Sequence, residues 1–259
     1  MHEPATTPLL SAERRQAILD ALARDGKVVA AQLVEQLGVS EDTVRRDLRE
    51  LAAQGLVQRV HGGALAPAPQ QGSFSRRREM SAGAKPALAR AAAGLLAGTR
   101  VIILDGGTTN LELARALPPG YDGTVLTNAP PIAAALAEHP AAEVVMIGGR
   151  LDKSSQVTVG AGALEFLRGV RADACVLGVC ALHPDVGLST DDLEEAHVKR
   201  AMVEASADVI ALATADKLRA GSAYLVAPVA ALTHVVADAA ALDELLDPYR
   251  AIGVTVTRA

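Results

Sequence analysis

Tryptophan is absent from this 259-residue chain, and two phenylalanines and three tyrosines are all the aromatic residues it has. Proteins that hold single-stranded nucleic acid stack bases on aromatic faces, so the scarcity argues against a single-strand or RNA binder and leaves duplex DNA open. Cysteine is scarcer still. Cys175 and Cys180 lie in an apolar stretch without a CxxC partner, which excludes a disulfide framework and a zinc site and predicts two buried, inert thiols. Long apolar runs are missing too: none approaches the roughly 18 residues that span a bilayer. Residues 1–8 carry His2 and Glu3 where a secretory leader carries Lys or Arg, so a cytoplasmic protein with no membrane partner is expected. Excess positive charge is also lacking. The formal net charge of −5 excludes a protein that coats nucleic acid through a broad basic surface, so any DNA contact has to come from a local cluster. What the chain has in quantity is apolar side chains, 50% of residues, enough for one large core or two smaller ones.

The first sixty residues carry three short helical patterns, each with its own stop. Ser11 is placed to cap a helix with Ile18 and Leu22 at i, i+4 spacing, ended by Asp25-Gly26. After Lys27-Val28-Val29 a second helix buries Leu33 and Leu37 and stops at Gly38, where a left-handed residue is favoured. Ser40 is a good N-cap for a third, whose Val44, Leu48 and Leu51 form one core-facing stripe. Gly55 closes it. Residues 56–60 read as a strand, His61-Gly62-Gly63 as a turn, and Ala64-Leu65 as the start of a return strand. Three helices followed by a hairpin make a winged helix-turn-helix over residues 9–65, in which the third helix suits the major groove.

With its leucines turned inward, that helix is expected to present Thr43, Arg46, Asp47 and Glu50 outward, flanked by Arg45 and Arg49. Arginine pairs bidentately with guanine, so these arginines are the candidate readers. Ser40 and Thr43, with the helix's free amides, are candidates for a backbone phosphate, and Arg59 and His61 on the wing for the adjacent phosphate or minor groove. The competing reading pairs Arg45 and Arg46 with Asp42, Asp47 or Glu50 on a solvated face. The first 65 residues hold eight basic and nine acidic side chains, so the unit is not basic as a whole.

Residues 66–78, opening on a Pro-, Ala- and Gln-rich stretch, read as a linker. From 79 to 259 helix and strand alternate: helices over 87–96, 110–117, 131–137, 162–169, 193–205 and 242–249, and strands over 101–104, 124–126, 143–147, 174–179, 209–213, 235–236 and 254–256. Such alternation with apolar strands predicts an α/β domain with a mostly parallel sheet covered on both faces. Strand 101–104 runs into Asp105-Gly106-Gly107-Thr108-Thr109-Asn110 and then a helix. Glycines let the backbone approach a phosphate, helix-start amides point at it, and Thr108 and Thr109 add hydroxyls. Other strand ends supply Thr127-Asn128, Gly148-Gly149 and Gly178, and ligands of open parallel sheets bind where carboxyl ends of strands converge. Lys199 and Lys217 are candidate sources of positive charge. A surface i, i+4 pair with Glu195 is the alternative for Lys199, and Arg77 and Lys85 stand at the domain entrance, within reach of a ligand or the DNA backbone.

The runs Glu13-Arg14-Arg15-Gln16-Ala17-Ile18-Leu19, Leu37-Gly38-Val39-Ser40-Glu41-Asp42-Thr43-Val44-Arg45-Arg46-Asp47-Leu48 and His61-Gly62-Gly63-Ala64 resemble the DeoR family of bacterial transcriptional regulators. The resemblance continues through Asp105-Gly106-Gly107-Thr108-Thr109, Leu126-Thr127-Asn128, Met146-Ile147-Gly148-Gly149, 187–190, Glu194-Glu195-Ala196, Lys199-Arg200 and Asp216-Lys217. It implies a recognition helix carrying Thr43, Arg45 and Arg46, a wing carrying His61, and a sensor domain similar in fold to ribose-5-phosphate isomerase and the coenzyme A transferases. A phosphorylated sugar is the implied effector, with Asp105, Gly107, Thr108, Thr109, Thr127, Asn128, Lys199 and Lys217 as the candidate pocket. Many relatives have Gly-Ala-Asp/Asn-Gly where this chain has Gly178-Val179-Cys180-Ala181, so Cys180 replaces the acid or amide that would meet a sugar hydroxyl. The expectation is a homo-oligomeric repressor, dimer or tetramer, of a carbohydrate operon, needing no metal or cofactor and binding duplex operator DNA. An isomerase or transferase with a fused helix-turn-helix, using Asp105 or Glu195 as base, and a protein-interaction module are the alternatives.

Overall fold

The computed structural model describes residues 10–69, 72–80 and 83–259. The expectation about a leader, and residue 9 at the start of the first expected domain, lie outside the described residues. Two compact units result, one of residues 1–68 with 219–221, the other of 69–218 with 222–259.

In the first unit α1 (Ser11–Asp25), β1 (Lys27–Val29), α2 (Ala30–Leu37), α3 (Glu41–Ala53), β2 (Gln58–Val60) and β3 (Gly63–Pro67) follow in order. Ser11 is already helical; the start of α1 is held instead by the Glu13 carboxylate, which accepts from the Leu10 amide. Left-handed Gly26 and Gly38 end α1 and α2, a conformation glycine adopts without a Cβ penalty. The helices bury Ile18, Leu22, Leu33, Val44, Leu48 and Leu51 in one cluster with Val28, Val57 and Ala64. Lys27–Val29, read only as an approach to α2, is a strand: it pairs antiparallel with β3, which pairs with β2 on its other side. Residues Ala220 and Gly221 add a short parallel strand to β3; two residues are too few for any sequence period to announce.

The second unit runs α4 (Phe74–Glu79), α5 (Lys85–Leu95), β4 (Val101–Leu104), α6 (Thr108–Ala116), β5 (Thr124–Thr127), α7 (Pro130–Leu136), β6 (Glu143–Met146), β7 (Arg150–Asp152), β8 (Val157–Val159), α8 (Ala161–Arg168), β9 (Ala172–Gly178), β10 (Ala181–His183), β11 (Gly187–Thr190), α9 (Leu193–Glu204) and β12 (Ser206–Ala213). After β13 (Ala220–Gly221), which belongs to the first unit, come β14 (Tyr224–Ala227), β15 (His234–Ala237), α10 (Asp243–Ala251) and β16 (Thr255–Arg258). Seven strands form one sheet in the order β16-β15-β12-β9-β4-β5-β6, and every pairing in it is parallel. The chain leaves β4 toward β5 and β6, then returns to its other side with β9 and continues outward. Neighbouring connections therefore diverge between β4 and β9, which opens a crevice beyond their carboxyl ends. Ile102, Ile103, Leu104, Val176 and Leu177 are fully buried, as two-faced strands require.

Three features depart from the expected plan. Helix α4 takes up the end of the expected 66–78 linker and runs one residue past it, capped by Ser73, whose hydroxyl accepts from the Arg76 amide, and anchored by buried Phe74. The hairpin β7–β8 and the antiparallel sheet β10-β11-β14 have strands of three or four residues, too short for a legible alternation. No helix among the described residues is long and apolar enough to cross a membrane, and none of their His, Cys, Asp and Glu residues cluster as metal ligands.

A Cβ added at Gly63 would lie 2.0 Å from the Val28 carbonyl oxygen. Gly63→Ala is therefore expected to push β1 off β3 and lower the first unit's stability by about 1–3 kcal/mol, read by thermal or urea unfolding. Gly62→Ala, with nothing within 4 Å of its Cβ but a φ of +80°, is expected to cost about 1 kcal/mol.

Candidate functional site

Helix α3 begins at Ser40, whose hydroxyl accepts from the Thr43 amide at 3.3 Å and lies 2.9 Å from the Thr43 hydroxyl. Its outer face differs from expectation at one position. Asp47 points inward, only 2% exposed, and takes a two-pronged contact from Arg14 of α1: Nε to Oδ2 at 2.8 Å and Nη2 to Oδ1 at 3.3 Å. A helix wheel cannot show this, because the partner that makes burial of a charge tolerable comes from another helix. Arg15 of α1 pairs with Glu50, and Arg45 pairs with Glu41 at 2.7 Å on the exposed surface.

Two of the acids expected to neutralise α3 are thus occupied by α1. Arg46 and Arg49 are exposed and have no ion-pair partner among the described residues. Together with Asp42, Thr43 and Arg45 they line a surface hollow. Arg59 and His61 are exposed on the wing.

In the second unit a cavity of about 480 Å³, open to solvent, lies beyond the carboxyl ends of β4 and β9. Its floor is the Gly106-Gly107-Thr108-Thr109 turn, where α6 starts two residues earlier than expected on Gly107 at φ +128°. The free amides there carry the partial positive charge of a helix N-terminus. Opposite stand Gly178, Val179 and Cys180 from the end of β9, and Glu195 and Lys199 from α9. Lys217 and Arg77 complete the cationic wall.

Lys199 is buried rather than paired on a surface. Its ammonium contacts the Asp105 carboxylate and donates to the Gly178 carbonyl at 3.1 Å; the same Asp105 oxygen accepts from the Gly178 amide at 2.8 Å. Burial would push the Lys199 pKa down, but the Asp105 and Glu195 carboxylates outweigh it and raise it. Burial drives the Glu195 carboxyl up, opposed by Lys199 and the Ser155 hydroxyl. Asn110 donates from Nδ2 to the Asp105 and Val176 carbonyls, which leaves its buried Oδ1 without a partner at the cavity wall. An acceptor with both amide hydrogens committed elsewhere suits a ligand hydroxyl.

Of the residues expected in the pocket, Gly107, Thr108, Thr109, Lys199 and Lys217 line it. Asp105, Thr127 and Asn128 do not. Asp105 is turned into the ion pair; the Thr127 hydroxyl accepts from the Ala129 amide; Asn128 donates from Nδ2 to the Thr158 carbonyl, while its own carbonyl accepts from the Thr158 amide. Asn128 thus serves as a rung holding β8, and that hairpin was the element the sequence did not announce. Arg77, Ser155, Cys180 and Glu195 line the cavity and were absent from the expected set. Cys175 is buried, its thiol pushed up to about 12 by desolvation. Cys180, expected to be buried, is half-exposed and sits 3.4 Å from the Thr190 hydroxyl.

The sequence matches the family model described as the DeoR-like helix-turn-helix domain over residues 14–70, and that described as the DeoR C terminal sensor domain over residues 80–239. It is 35% identical over 254 residues to the HTH-type transcriptional regulator GlpR of Haloferax volcanii, covering 96% of this chain and 98% of that one. It is 34% identical to the HTH-type transcriptional repressor GlcR of Bacillus subtilis over 82% of each chain. Identity to the transcriptional repressor AccR of Agrobacterium fabrum is 31%, over 88% of this chain and 90% of that one. Ribose 5 phosphate isomerase A from Neisseria gonorrhoeae superposes on 54% of this chain and 53% of its own, with a TM-score of 0.38 and 12% identity, too loose a likeness to argue from.

Lys199→Met strands the Asp105 charge in a buried site and is expected to cost about 3–5 kcal/mol of stability. Asp105→Asn combined with Lys199→Met removes both charges and is expected to recover part of that loss, a difference read by denaturant titration of the second unit's unfolding.

Proposed function

The chain belongs to the DeoR family of transcriptional regulators, and from that premise we propose that it represses a carbohydrate-metabolism operon and is released from its operator by a phosphorylated sugar. The observation that carries this reading is the state of α3: Arg46 and Arg49 face outward and form no ion pair among the described residues, although exposed Asp42 shares their hollow, while Arg14 and Arg15 occupy Asp47 and Glu50. A buried bidentate pair behind the helix sets its rotation, and two unneutralised guanidiniums in front suit guanine edges or phosphates. Ser40, Thr43 and Arg45 contact the phosphate backbone at the helix start; Arg59 and His61 do so from the wing. A homo-oligomer would place two such helices on half-sites one turn of DNA apart or a multiple of it.

In the sensor, the α6 amides with Thr108 and Thr109 take the phosphoryl group, Lys217 and Arg77 neutralise it, and Asn110 and Glu195 meet sugar hydroxyls. Lys199 acts by fixing the β4 and β9 ends. This assignment replaces Asp105, Thr127 and Asn128 as ligand contacts.

Arg46→Ala and Arg49→Ala are each expected to weaken specific operator binding by roughly five- to a hundredfold, the 1–3 kcal/mol of a base contact, in gel-shift titration at fixed salt. Adding a panel of sugar phosphates to the wild-type complex is expected to lower operator affinity at least tenfold for one of them. A protein that binds the operator but responds to no phosphorylated sugar refutes the gating, and wild-type affinity in the double variant refutes the assignment of α3.

A further inference from the structure

A second cavity, of about 340 Å³, adjoins the first and shares Arg77, Thr108 and Lys217 with it. To these it adds Lys85, Thr214 and Asp216. The two chambers differ in how their charge is balanced. In the first, Lys199 is matched by Asp105 and stands near Glu195, so the one cation that the second chamber does not share is answered from within the protein. In the second, three cations, Arg77, Lys85 and Lys217, share the single lining carboxylate of Asp216, Glu112 also acting on Lys85 and Glu195 on Arg77, and none of the three forms an ion pair among the described residues.

Two of those cations, Lys85 and Arg77, are held in place rather than left to avoid the others. Lys85 is buried, with its ammonium on the carbonyls of Arg77 and Met80 at the end of α4. Two of its three N–H donors are used, and the third remains for a ligand. The Arg77 side chain lies over the Phe74 ring, 6.0 Å from guanidinium carbon to centroid, and its buried Nε has no hydrogen-bond partner. Burial pushes the pKa of both Lys85 and Lys217 down; Lys217 and Arg77 push Lys85 further down against Glu112 and Asp216, while for Lys217 the Cys180 thiol and Asp216 oppose burial, which Arg77 and Lys199 assist. Lys85 is buried and Arg77 and Lys217 are half-buried beside it, and like charges gathered at partial burial with a donor unsatisfied are costly unless an anion completes the set.

One phosphoryl group on the α6 amides draws on Arg77 and Lys217 from the first chamber and leaves Lys85, with its third N–H, and the buried Nε of Arg77 unanswered. Resting on the sensor reading above, we propose that the effector is a sugar carrying two anionic groups, one phosphoryl on the N-terminus of α6 and a second phosphoryl or carboxylate in the chamber of Arg77, Lys85, Lys217 and Thr214. The shared wall of Arg77 and Lys217 lies between the two anions. A second charge at the far end of the sugar then discriminates among effectors as strongly as the hydroxyl pattern does.

Isothermal titration of the full-length protein with fructose 1,6-bisphosphate, 6-phosphogluconate, fructose 1-phosphate and fructose 6-phosphate tests this. At least one of the two doubly anionic ligands is expected to bind tenfold or more tighter than both monophosphates, and the tighter of the two identifies the second anion. Lys85→Met and Thr214→Val are expected to reduce that preference at least fivefold while monophosphate affinity stays within twofold; Thr214→Val, nearly isosteric, keeps the test valid if Lys85→Met fails to fold. Monophosphates that bind as tightly as doubly anionic ligands, or a preference unchanged in Thr214→Val, overturn the proposal and leave the sensor reading standing. Failure of all four ligands and of inorganic phosphate to bind removes the sensor reading itself.

Discussion

The buried pair of Asp105 and Lys199 is the constraint on which the sensor site depends. One carboxylate oxygen receives the Lys199 ammonium and the Gly178 amide, and the ammonium reaches on to the Gly178 carbonyl. Three elements are tied at one point: the end of β4, the end of β9, and the middle of α9. Those two strands flank the place where the chain reverses its direction across the sheet, and past the Asp105 amide, which still donates to the Val176 carbonyl at 3.1 Å, the loops that follow need another tie. The ion pair does that work. Gly178 fits there because an added Cβ would lie 2.2 Å from the Gly106 carbonyl oxygen, so the loops pack backbone on backbone and the Gly106-Gly107 turn stays open to a ligand.

The same device recurs in the first unit. Asp47 and Arg14 form a buried, two-pronged pair that locks α3 against α1, and the pairing of Arg15 with Glu50 takes up a further acid. In each unit a buried pair sets geometry and adjacent cations are left for a partner: Arg46 and Arg49 on the helix, Arg77 and Lys217 in the pocket. A chain with a net charge of −5 can therefore offer local positive sites to two different anions, since what decides binding is the charge left unpaired at a surface rather than the sum over the sequence.

Much of this was legible in advance. Helix stops at Gly26 and Gly38, the cap at Ser40 and the stripe of Val44, Leu48 and Leu51 follow from local rules, and the sensor's main strands stand out because a doubly covered strand must be apolar along its length. The hairpin β7–β8 and the sheet β10-β11-β14 did not stand out, as three or four residues carry no period. Asn128, expected in the pocket because it follows a strand end, donates its amide to the Thr158 carbonyl of that hairpin and is not among the residues lining the cavity. Arg77, expected at the domain entrance within reach of a ligand, is brought to the cavity by a helix in a segment read as linker, held by Phe74 and the Lys85 ammonium.

By itself, then, the sequence determined the longer helices, the strands of the main parallel sheet, and that a glycine-threonine turn would follow β4, because those outcomes depend on neighbours a few residues away. Only the tertiary structure decided which charges would be spent inside and which left outside. Arg14 meets Asp47 across 33 positions and Lys199 meets Asp105 across 94, and no local spacing rule reaches that far: an ion's partner is chosen by the fold that brings it within a few ångströms.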